Sequence, residues 1–196
     1  MPAISPFGAL EEPTQGALEE LAGLCGADPV AVLSGASDLP ASRFRSLRRV
    51  TVRQLCCESR CESVVIDAQP LGNNDAADMV ALVALTEPGP FALRTVELGT
   101  YIGIREGGRL IAMAGERLKP PGWVEISGVC THPDGRGRGY ALGLVVRLTN
   151  AVIARGEGAF LYVAVGSPSE KTATRIYEQV GYRFRREMYV HALQQG

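Results

Sequence analysis

Apolar and polar positions along the chain fall into two regimes. The first 70 residues are weakly patterned, whereas from residue 71 onward the pattern divides cleanly into elements. In the early part, residues 14–25 carry a short helical pattern, and apolar runs at 29–34, 49–58 and 63–67 read as short strands. Gly35, Ser37, Asp38 and Pro40 supply turn chemistry between the first two runs. Asn73-Asn74-Asp75 can then cap a helix whose Ala76, Met79, Val80 and Val83 share one face, and Pro88 ends it. Two strands are expected at 96–105 and 109–117 around the hairpin turn Glu106-Gly107-Gly108, and a third at 123–131 after Pro120-Pro121-Gly122. Ala141, Leu144, Val145, Leu148 and Val152 predict a long helix over 137–155, with Gly156 at its end. A buried strand is expected at 159–165. Ser167-Pro168-Ser169-Glu170 has the form of a capping box opening a last helix, with Ala173, Ile176, Tyr177 and Val180 on one face. A strand at 182–191 completes the order. Helix, three strands, helix, strand, helix, strand is an α+β arrangement, a sheet covered by helices.

At 196 residues and 46% hydrophobic content, the chain has room for one ordinary domain, alone or with an extension. Its net charge of −1, from 20 basic and 21 acidic side chains, removes any overall pull toward nucleic acid or anionic membrane. No apolar run is long enough to span a bilayer, and Met1-Pro2-Ala3-Ile4-Ser5 lacks the basic and apolar regions of a secretory signal. Five cysteines, Cys25, Cys56, Cys57, Cys61 and Cys130, then read as reduced thiols of a cytoplasmic protein. His132 and His191 lie far from the cysteine cluster, so no metal is expected.

The segment with chemistry in it is Arg136-Gly137-Arg138-Gly139-Tyr140-Ala141, set between a strand and the long helix. The first amides of a helix have no intrahelical acceptor, and the peptide dipoles add positive potential there. Such an end suits a pyrophosphate. Glycine at 137 and 139 lets the backbone approach phosphates, and Arg136 and Arg138 can add charge-assisted hydrogen bonds. The bland alternative is an arginine- and glycine-rich turn on a solvated surface. It is neither a Walker loop nor a Rossmann fingerprint, since no Gly-Lys-Ser/Thr ends it and the three-glycine spacing is missing.

Arg136-x-x-Gly139-x-Ala141 resembles the Arg/Gln-x-x-Gly-x-Gly/Ala signature of the GNAT acetyltransferases. Val129-Cys130-Thr131-His132-Pro133-Asp134 is similar to that family's strand end before the loop, and Ala173-x-x-Ile176-Tyr177-Glu178-x-x-Gly181-Tyr182 to its last helix. The resemblance covers about residues 71–196. It implies a mixed, mainly antiparallel sheet flanked by helices, with a splayed strand pair holding acyl-CoA. Residues 1–70 resemble nothing comparable and are read as an N-terminal extension packed on the main domain, or as a shortened copy of the same unit. The implied co-substrate is acetyl-CoA, without metal. Its pyrophosphate would lie on Arg136, Gly137, Arg138, Gly139, Tyr140 and Ala141, and its pantetheine arm on the backbone of Val129, Cys130 and Thr131. Glu170 stands where family members often carry an Asn that contacts the pantetheine.

The resemblance also implies two catalytic side chains. Glu125 matches a glutamate that serves as general base in the histone-acetyltransferase branch; otherwise it is a strand glutamate facing solvent or paired with an arginine. Tyr177 matches the tyrosine that protonates the departing thiolate; otherwise it is a core residue of its helix face. Cys130 is read as packing rather than as an acyl carrier, His132 as part of a His-Pro turn, and Arg175, Arg183, Arg185 and Arg186 as a solvated basic face. The implied acceptor is a primary amine: a small molecule, an amino acid, or the N-terminus or a lysine of a peptide or protein. A homodimer is compatible with this reading. The alternative function is a non-catalytic acyl-CoA-binding sensor or scaffold, which needs neither Glu125 nor Tyr177.

Overall fold

The computed structural model of the chain describes residues 4, 6–25, 30–34, 39–40 and 44–195. Pro29 and the turn formers Gly35, Ser37 and Asp38 lie outside the described residues, as do most of the first five. The fold is α+β, with a mixed, mainly antiparallel sheet flanked by helices.

The strands are β1 (Phe7–Ala9), β2 (Val30–Ser34), β3 (Phe44–Cys57), β4 (Gln69–Leu71), β5 (Tyr101–Glu106), β6 (Arg109–Glu116), β7 (Trp123–Thr131), β8 (Gly158–Ala164) and β9 (Arg183–Gln195). The helices are α1 (Gln15–Cys25), α2 (Ala76–Thr86), α3 (Tyr140–Ala154) and α4 (Glu170–Val180). The described residues form one sheet in the order β1-β2-β9-β3-β8-β7-β6-β5-β4, parallel only at β1/β2 and β7/β8. Residues 1–70 thus contribute strands to the same sheet, and β3 lies between β8 and β9, antiparallel to both.

Alternation along the strands divides the core between two faces. Ile102, Ala112, Val124, Ile126 and Leu161 meet Leu144, Val145, Leu148 and Val152 of α3 and Tyr177 and Val180 of α4. On the other face Tyr101, Leu110, Met113 and Cys130 meet Met79, Leu82 and Val83 of α2. Leu18 of α1 packs on Leu193. Gly107 and Gly108, at φ 56° and 83°, make the two-residue turn between β5 and β6, where both central residues need positive φ.

Three expectations are corrected. Residues 63–67 form no strand: Val65 is fully exposed, and Ile66 packs against Gly143 of α3, where a Cβ would come within 2.5 Å of it. The strand expected from 96 begins at Tyr101, because Thr95–Leu98 coil into a 3₁₀ turn. There Thr95 Oγ1 accepts from the Ala92 amide (2.8 Å) and donates to the Ile4 carbonyl (2.7 Å). The capping box at Ser167 does not form. Ser169 is the N-cap, without a side-chain hydrogen bond, and Glu170 instead accepts from the Gly166 amide (2.7 Å) and pairs with Arg53 (3.1 Å).

Candidate functional site

β7 and β8 pair in parallel only as far as Glu125↔Phe160. Beyond that position β7 runs on to Thr131 with its other edge held by β6, so its β8-facing backbone groups leave the ladder. The register with β6 slips between Met113 and Gly115, and Gly128, at φ 62°, is the left-handed residue of this bulge. The slip puts Cys130 on the α2 face, in the core with Met113, while Val129 packs toward α3. Thr131 is at the strand end, and its hydroxyl is buried with no hydrogen-bond partner.

A short 3₁₀ turn, Pro133–Gly135, then leads to the glycine-rich segment. Gly135 is buried against Ile111, where a Cβ would come within 2.4 Å of Cγ2. Gly137 and Gly139 adopt φ 79° and 77°, with open space where a Cβ would be. Left-handed residues of this kind are what anion-binding nests use to turn successive amides toward one concavity. Gly139 caps α3, so the amides of Tyr140 and Ala141 fall among the first-turn donors that have no intrahelical acceptor. Arg136 is exposed and has no acidic partner among the described residues, which leaves its guanidinium available to an anion. Arg138 is turned away toward Glu106 (2.6 Å), whose carboxylate also accepts from the Tyr140 hydroxyl. These two bonds, the tyrosine's first, hold Glu106 below the usual carboxylate range.

Glu125 is 1% exposed, at the last paired position before the strands part. Arg117 grips it from β6's end with Nη2 to Oε1 (2.6 Å) and Nε to Oε2 (2.9 Å), and the Leu118 amide donates to Oε2 (3.3 Å). The Phe7 ring covers the guanidinium at 4.2 Å. Tyr177 projects from α4 into the core beside β7. Burial, with the Cys130 thiol nearby, raises its pKa, so its hydroxyl is a proton donor at neutral pH. Burial likewise pushes the Cys130 thiol up to about 11. A hollow of about 640 Å³ lined by Cys57, Trp123, Val180 and Arg183 lies at the opposite end of β7, and no residue of the glycine turn lines it.

A family model described as FR47-like protein matches residues 101–190. A crystal structure from Novosphingobium aromaticivorans, assigned to the GNAT family of acetyltransferases, is 37% identical with a TM-score of 0.87, covering 100% of this chain and 86% of that one. This chain belongs to the GNAT family. More distant GNAT structures share its fold. A GCN5-related N-acetyltransferase from Kribbella flavida is 17% identical at a TM-score of 0.61, covering 96% of this chain and 78% of its own. The ribosomal-protein-S18-alanine N-acetyltransferase of Escherichia coli is 16% identical at 0.52, covering 66% and 94%. No curated protein matches the chain.

Within the GNAT fold, the parting of β7 and β8 and the nest at α3 adjoin each other around Val129, Cys130 and Thr131. Arg117, Tyr101, Gly128 and Gly135 were not singled out by sequence. For Arg117 and Gly128 the signal is the β6–β7 register, which one bulge shifts; Tyr101 and Gly135 are placed by close packing against Gly115 and Ile111. Among the described residues no cluster of His, Cys, Asp or Glu could hold a metal, and no helix is long and apolar enough to cross a membrane.

Proposed function

We propose that this GNAT protein transfers an acetyl group from acetyl-CoA to a primary amine by direct attack. The observation that carries the reading is the end of β7–β8 pairing at Glu125↔Phe160, directly before a left-handed glycine nest that opens α3. Acetyl-CoA supplies an activated thioester, and the residues present fit it. The amides of Gly137 through Ala141 and the Arg136 side chain hold the pyrophosphate, and the orphaned Thr131 hydroxyl and the free backbone of Val129, Cys130 and Thr131 hold the pantetheine arm. An amide of that same stretch stabilises the charge developing on the thioester oxygen, a large term in acyl transfer.

Glu125 acts as base, directly or through one water. Its Oε2 accepts two N–H groups, while Oε1 accepts one and keeps a lone pair for the amine's proton. As the nitrogen–carbon bond forms and the carbon–sulfur bond breaks, Tyr177 gives its proton to the thiolate. Cys130 takes no part. Burial raises its pKa above that of a free thiol, so the nucleophilic thiolate is disfavoured at pH 7.

Thiol release from acetyl-CoA across a panel of primary amines, amino acids and peptides tests the reading. At least one acceptor should give stoichiometric thiol and N-acetyl product. Gly139→Asn tolerates the left-handed conformation, while the near-isosteric Gly139→Asp adds a negative charge. The Asp variant should bind acetyl-CoA at least about tenfold more weakly than the Asn variant, or about 1.4 kcal/mol. Tight binding without turnover on any acceptor would favour a sensor instead.

A further inference from the structure

Tyr101 opens β5 and is 1% exposed. Its ring lies flat across β6: a Cβ on Gly115, its register partner, would sit 2.1–2.4 Å from Cδ1, Cε1 and Cγ. The same ring reaches β7, where Cε1 is 3.5 Å from the Cβ position of Gly128 in the bulge. Phe91 braces the ring edge-on, with centroids 5.6 Å apart at 85°. Two glycines therefore make a platform that carries the phenol from β5 to the point where β7 begins to part from β8. The charges acting on the hydroxyl there are those of Arg117, Glu125 and Glu116. Yet it is buried without a hydrogen-bond partner. Buried tyrosine hydroxyls ordinarily find one, and phenylalanine would fill the same space without leaving a polar atom unpaired.

We propose that the Tyr101 hydroxyl is a binding group for the acceptor amine, accepting one N–H and holding the nitrogen on the α2 face of the β7 bulge beside Glu125. The role rests on the acyl-transfer reading above. It adds the subsite from which attack starts: a primary amine needs two hydrogen-bond acceptors to leave its lone pair free, and Tyr101 and Glu125 Oε1 are two such groups on one face.

The test is steady-state kinetics of Tyr101→Phe with acetyl-CoA and the best amine of the panel, together with thermal melts. KM for the amine should rise about tenfold or more, the scale of one lost hydrogen bond to a charged or reacting group. KM for acetyl-CoA should stay within about twofold, since that site is untouched. The melting temperature should hold or rise, because an unsatisfied buried hydroxyl is removed. Gly115→Ala, which pushes the ring off its platform, should raise the amine KM in the same direction. Unchanged amine kinetics in Tyr101→Phe would overturn the proposal, and so would a lowered melting temperature with native KM, which marks a structural hydroxyl. A wild type that releases no thiol with any amine of the panel overturns the acyl-transfer reading and this role together. Active wild type with a silent substitution overturns only the role.

Discussion

Both oxygens of Glu125 are engaged by Arg117, in a pair whose side chains are 2% and 10% exposed. Two consequences of substitution must therefore be separated. Glu125→Gln removes the base and should lower turnover by roughly 10² to 10⁴. It also leaves a buried guanidinium without a counter-charge, at a cost of about 3–5 kcal/mol. Replacing the pair together, Glu125→Leu with Arg117→Met, should return most of that stability, since apolar substitutes for a buried pair are often neutral. Urea unfolding and thiol release on the three proteins decide the matter: stability should recover while activity stays lost. Recovery of turnover in the double variant would remove Glu125 from the chemistry. At this scale the sequence marked Glu125 and offered an arginine partner as the bland reading. It could not name Arg117, eight residues away, because that contact depends on how β6 and β7 align after the turn at Pro120-Pro121-Gly122. Tyr101 was hidden for the same reason, since its placement follows from glycines on two other strands.

α4 sets where the Tyr177 ring lies, and its start is fixed by contacts outside the helix. Glu170 bonds Gly166 and Arg53 of β3, so the helix is registered against the sheet rather than by a local cap. Its end at Gly181, φ 107°, was legible from the glycine alone. Tyr177→Phe keeps the packing and removes the acid. Because a thiol of pKa about 8.5 is already a fair leaving group, turnover should fall only about 10- to 10²-fold with an unchanged melt. Native turnover would leave Tyr177 as a core residue. Elements with a clear period and punctuation, such as β7, α3 and the β5–β6 hairpin, could be read from sequence. Residues 63–67 and 96–100 could not, because one side chain, Ile66, and one threonine, Thr95, override the local strand pattern through tertiary contacts.

Across the whole molecule, β3 from the weakly patterned first third is the strand on which the sheet closes. It holds β9 from Phe44 to Cys56 and β8 from Val52 to Cys57, and β8 and β9 have no pairing of their own. The sequence reads a strand only from residue 49, because Arg45 and Arg48, which face solvent, interrupt the apolar positions of its first residues, 44–48. A chain lacking residues 1–57 should therefore show no cooperative melt, whereas a stable, cooperatively unfolding fragment would make those strands dispensable. On the proposed reading acetyl-CoA lies along the freed edge of β7 and on the nest at α3. Hydrogen exchange read by mass spectrometry, with and without saturating acetyl-CoA, reads that placement segment by segment. Exchange should slow in residues 127–131 and 137–142, by about tenfold or more if the ligand exceeds its Kd a hundredfold, while residues 44–50 at the far side of the sheet stay unchanged. Protection confined to other segments, or none in 137–142 at saturation, would contradict it.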